Sequence, residues 1–70
     1  MTNLQAANAR RTEAEAAEAA GDYAAAARDY TLAAEQLVNV WWQMHRSTNS
    51  PDAVHMRRKA VQMIRLRDAA

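Results

Sequence analysis

Apolar and polar positions divide the chain into three helical stretches, punctuated by its one glycine, Gly21, and its one proline, Pro51. In the first stretch Leu4, Ala7, Ala14, Ala17 and Ala20 form a narrow stripe among Glu and Arg residues of high helix propensity. The spacing predicts a helix over about residues 3–20, with Thr2 and Gln5 at capping-box spacing and Gly21 as the left-handed residue that stops it. An alanine stripe lets a neighbouring helix come close, but each alanine buries little area. The second stretch starts at Asp22, a good N-cap. Tyr23, Ala26, Tyr30, Ala33, Leu37, Val40 and Met44 then recur at alternating spacings of three and four, a heptad seam. A second apolar line runs through Ala27, Ala34, Val38, Trp41 and His45. The predicted helix, about residues 22–46, spans roughly 36 Å and is apolar over the wide arc expected of a central element.

The third stretch opens with Ser50 as N-cap, Pro51 at the first helical position and Asp52 in the first turn, which predicts a helix over about residues 51–68. Val54, Val61 and Ile64 share one line, and Met56, Ala60 and Met63 lie beside it. Arg57 falls in the middle of that arc, while His55, Arg58, Gln62 and Arg65 face the other way. The expected fold is one all-α domain over residues 1–70, an up-down-up three-helix bundle. Leu4, Tyr23, Tyr30, Leu37, Trp41, Val61 and Ile64 are its expected core.

Size and charge narrow the picture further. A chain of 70 residues buries only about 60% of its unfolded surface. With no Cys it has neither disulfides nor thiolate metal ligands to help. A partner chain is the remaining aid, either a second copy or a helix from another protein. The net charge of +1 hides an asymmetry. Residues 1–45 hold three arginines against six acidic residues, net −3, and residues 46–70 hold six cations against two acidic residues, net +4. No run of about eighteen apolar residues predicts a membrane span. The first residues lack the basic and apolar regions of a secretory leader, so the cytoplasm is the expected location. The richness in Ala and Arg suits a bacterial or phage source.

One string resembles known families. Gly21-Asp22-Tyr23 followed by Ala26, Tyr30 and Ala33 reads G-x-Y-x-x-A-x-x-x-Y-x-x-A. This resembles the second half of a tetratricopeptide repeat and the hairpin of a microtubule-interacting and trafficking (MIT) domain. The match covers about a third of the chain. Arg10, Glu13 and Ala14 stand where the repeat's first helix has an aromatic residue and a Leu-Gly pair, and Val38 replaces the proline that ends its second. The longer second helix and the single third helix favour the MIT-like shape. The resemblance implies binding of short peptide helices or strands in a groove between helices, here on the side of the first and third.

Catalytic chemistry finds no constellation. His45 and His55 fit no metal-binding pattern, Glu13, Glu15 and Glu18 read as a solvated face, and one glycine cannot build a phosphate loop. No catalytic residue, cofactor or metal is expected, and the protein is read as no enzyme. Trp41 and Trp42 differ by about 100° in direction, so both cannot enter one core line. Either both rings supply bulk to a thin core, or Trp42 belongs to a contact patch.

The expected function is a protein–protein interaction or adaptor module. It would bind a partner helix or peptide in an interhelical groove, or pair with itself through the second helix. Trp42, Met44, Met63 and Leu66 are the candidate protein-binding residues. The alternative is a small nucleic-acid-associated protein that contacts phosphates through Arg58 and Arg65, seven residues apart on one helix face.

Overall fold

The computed structural model of the protein describes residues 3–69. Three α-helices follow one another: α1 Asn3–Ala19, α2 Tyr23–His45 and α3 Pro51–Ala69. The chain is an all-α three-helix bundle, with the predicted elements in the predicted places. The proposed Thr2 cap lies outside the described residues.

Each helix boundary has a local cause. At the end of α1 the Gly21 N–H donates to the Glu18 carbonyl at 3.0 Å and the Asp22 N–H to the Ala17 carbonyl at 2.9 Å. This is the paired Schellman closure, and it needs the left-handed backbone that Gly21 adopts at φ +78°. Asp22 then caps α2 by accepting from the Ala25 N–H at 3.2 Å. Arg46 ends α2 in a left-handed conformation, its N–H donating to the Trp42 carbonyl at 2.8 Å. Ser50 caps α3: its buried hydroxyl accepts from the Ala53 N–H at 3.2 Å.

The helices form an open row rather than a closed triangle. Both α1 and α3 pack along α2, and they scarcely meet each other. Three helices about 9 Å apart measure roughly 23 Å across their Cα atoms in a row, but only about 14 Å in a triangle. The molecule measures 40 × 22 × 12 Å. Its width is that of a row, and its third dimension shows that the row is bent.

The core is made mainly of small side chains. Ala14, Ala26, Ala27, Ala33, Ala34, Ala53 and Ala60 are buried together with Tyr30, Met56 and Met63, and Ala17, Tyr23, Leu37 and Val38 pack against them. Four expectations about the core need correction. Leu4, expected inside, is 50% exposed. Trp41 is only partly buried, with its ring 4.0 Å from that of His45. Val61 and Ile64 are 47% and 38% exposed, because α3 turns Ala53, Met56, Ala60 and Met63 inward instead. The reason is Arg57. It sits in the middle of the Val54–Val61–Ile64 arc, and burying that arc would desolvate an unpaired guanidinium at a cost of several kcal/mol. Turned as it is, α3 leaves Arg57 in water and offers two small residues and two adaptable methionines to α2.

The seam of α2 is buried only where other helices cover it. With 17 residues against 23, α1 is shorter than α2 by about 9 Å. Leu4 in the first turn of α1 already lies level with Leu37, because both line the same hollow. Past that level Val40 is half-buried and Met44 is 70% exposed.

Ser50→Ala removes the one side-chain acceptor at the start of α3. The expected cost is about 1 kcal/mol, a fall of about 5 °C in the melting point followed by circular dichroism. An unchanged melting point would show that the cap does not hold α3.

Candidate functional site

Because the row is bent and open, a groove runs between α1 and α3 with α2 as its floor. Its larger part, about 350 Å³, has Arg11, Glu15 and Glu18 on the α1 side, Tyr30 below, and His55 and Lys59 on the α3 side. It continues into a narrower hollow of about 100 Å³, where Leu4, Ala7, Leu37 and Met56 supply the apolar surface and Asn8, Arg11, Asp52 and His55 the rim.

One end of this groove is closed by a three-helix clasp. The Tyr30 hydroxyl of α2 donates to Glu18 Oε1 of α1 at 2.7 Å. Lys59 Nζ of α3 donates to Glu18 Oε2 at 3.0 Å and stands 5.6 Å from the centre of the Tyr30 ring. Both carboxylate oxygens are thus satisfied, one by a neutral donor and one by a cation. The hydrogen bond from Tyr30, followed by that from Lys59, holds the Glu18 carboxyl below its ordinary value of 4.5. Burial, reinforced by the Glu18 charge, pushes the Tyr30 phenol well above its ordinary value of 10.0. A second cross-helix contact sits on α1 and α2, where Arg10 Nη1 lies 3.7 Å from Oδ1 of the buried Asp29.

A different groove, about 320 Å³, opens between α2 and α3. Ala24, Ala27 and Leu32 of α2 and Ile64 of α3 form its apolar lining, and Arg28 and Arg67 stand at its rim.

The residues singled out in the sequence are dispersed over this framework. Trp42, Met44 and Leu66 are exposed by 46%, 70% and 38%, and none of them lines the α1/α3 groove. The Arg46 guanidinium lies 5.8 Å from the Trp42 ring centre. Met63 is fully buried and is core, not surface. Its line was misassigned because Met63 lies beside the arc interrupted by Arg57. Arg58 and Arg65 are exposed on α3. His45 stacks on Trp41 and His55 lines the groove. Among the described residues no three His, Cys, Asp or Glu side chains are placed to hold a metal ion, and no helix is long and apolar enough to cross a membrane.

The sequence reading missed the clasp and the groove walls. A partial signal existed: Tyr30 sits on the heptad seam, and a buried phenol needs a polar partner. Nothing in the spacing, however, links Glu18 to Lys59 across 41 residues.

Compared with known protein families, curated proteins and solved structures, the chain matches none.

Two outcomes follow from the clasp. Tyr30→Phe keeps the ring and loses the hydroxyl, and should cost about 1–2 kcal/mol in chemical denaturation. A loss within error would show that the clasp does not stabilise the fold. The second outcome concerns pH. A carboxyl whose pKa is lowered on folding stabilises fully above its unfolded value and loses that contribution as pH falls through the folded value. The melting point should therefore fall as pH drops below 4.5, and Glu18→Gln should flatten that fall. An equally steep fall in the variant would assign the pH dependence to other carboxylates.

Proposed function

We propose that this protein is a non-catalytic protein–protein interaction module that takes a short segment of a partner into the groove between α1 and α3. The observation that carries the reading is the hollow formed by Leu4, Ala7, Leu37 and Met56, apolar at its base and rimmed by charges of both signs. A segment that fits has an apolar side chain for the hollow and flanking charges that pair with Arg11 on one wall and Asp52 on the other. Such a segment is a turn of amphipathic helix or an extended peptide. The G-x-Y-x-x-A-x-x-x-Y-x-x-A string and its likeness to MIT and tetratricopeptide hairpins support the same reading. So does the clasp, which engages Glu18, Tyr30 and Lys59 with one another. The reading assigns no cofactor or metal and sets the protein in the cytoplasm.

A second reading has its own observation. Arg58 and Arg65 have no acidic partner among the described residues, which suits contact with nucleic-acid phosphates.

Selection of binding peptides from a random displayed library separates the two. The groove reading expects peptides that share one apolar anchor and bind with little dependence on salt. Leu4→Glu should weaken them at least about tenfold by placing a charge in the hollow, and Met44→Ser should leave them unaffected. The same experiment with duplex DNA should show no binding at physiological salt. Peptides indifferent to Leu4→Glu would contradict the groove reading. DNA binding that falls steeply with salt and is lost on neutralising Arg58 and Arg65 would establish the alternative.

A further inference from the structure

Turning α3 to keep Arg57 in water leaves a row along one flank of that helix, at the edge of the α2/α3 groove and outside the core. Arg57, Val61, Ile64 and Asp68 follow one another at spacings of four, three and four. At 100° per residue they fall within an arc of about 60°. Val61 and Ile64 are 47% and 38% exposed. Arg57 is exposed and has no acidic partner among the described residues. The Asp68 side chain is 65% exposed, and among the described residues its one ion pair is with its chain neighbour Arg67 at 3.1 Å.

We propose that this row is the contact face for a second copy of the protein, with the two α3 helices packed antiparallel about a two-fold axis. The row reads cation, aliphatic, aliphatic, anion. Run backwards it reads anion, aliphatic, aliphatic, cation, so it is complementary to itself in the antiparallel sense alone. Arg57 meets Asp68 of the partner subunit, Val61 meets Ile64 of the partner subunit, and the two-fold repeats both pairs. A parallel pair would set each charge against its like. The spacing is that of an a/d seam, the pattern through which helices pack along their length. Beside the row, the groove between Leu32 and Ile64 gives the incoming aliphatic side chains room.

Charge also limits the pair. Arg58 and Arg65 flank the row on one edge, and the two-fold brings both copies of that edge together. Four arginines then oppose association, so the dimer is weak and reversible. The α3 row and the α1/α3 groove occupy different sides of α3, so pairing leaves the groove open.

Sedimentation equilibrium of the full chain from about 5 μM to 1 mM tests the inference. The wild-type protein should pass from monomer to dimer within this range. Arg57→Asp and Asp68→Arg should each weaken the dimer about tenfold, since each turns two attractions into two repulsions. The double variant that swaps the two charges should recover it. Arg58→Glu should tighten it by placing a carboxylate beside Arg65 of the partner subunit. All three positions are exposed, and circular dichroism checks that each variant stays folded. A chain that remains monomeric at 1 mM would overturn the proposal. So would a dimer indifferent to both single reversals, or one that the swap fails to restore.

Discussion

The Glu18 carboxylate is the point at which the three helices become one structure. It accepts from Tyr30 of α2 through one oxygen and from Lys59 of α3 through the other. α1 and α3 scarcely touch, so this node ties together two helices that otherwise pack mainly on α2. The node is partly buried, which favours it: Glu18 and Lys59 side chains keep 30% and 26% of their surface. Full burial would charge the ion pair a desolvation penalty that its attraction seldom repays, and full exposure would leave it screened and worth little. Tyr30 supplies a buried ring below and a hydroxyl at the edge, so a single side chain joins the apolar core to the polar clasp.

The clasp matters because the core beneath it is thin. Alanines let the helices approach closely but bury little area, and Tyr30 and Met63 are the largest side chains that are fully buried. A core of that volume fills the two seams beside α2 and leaves none over to close a triangle. The bent row, its 22 Å width and the groove between α1 and α3 all follow from this shortage of bulk. The end of α2 stays outside because α1 is shorter, and Val61 and Ile64 stay on the surface because α3 turns Arg57 to water. The two features that support an interaction role thus have separate causes, a thin core for the groove and Arg57 for the exposed aliphatic row.

The three helices were legible in the sequence because their ends are fixed locally. Gly21, Asp22, Ser50 and Pro51 act within a few residues of themselves, and the structure places each where its chemistry works. The rotation of α3 was legible in principle, since Arg57 in the middle of an apolar arc is a conflict that only turning the helix resolves. Aliphatic periodicity assigns Val61 and Ile64 to the core face, while the cost of one buried guanidinium decides against it. Leu4 was misplaced for another reason: the periodicity of α1 says which side is apolar, but not how far α2 extends beyond it. The groove walls depend on pairing between helices. Arg11 and His55, or Glu18 and Lys59, come together only through the bend of the row, which no local spacing encodes. The direction of the groove, between α1 and α3, was expected from the hairpin resemblance rather than from the residues themselves.

One carboxylate of α1, held by a phenol of α2 and an ammonium of α3, joins α1 to α3 across an open row. Nuclear Overhauser contacts from the Tyr30 ring protons of the isotopically labelled protein report on this junction. Cross-peaks are expected from that ring to the side-chain methylenes of both Glu18 and Lys59. Cross-peaks to Glu18 alone, with the Lys59 side chain averaging freely in solvent, would show that α3 is not joined to α1 at this point.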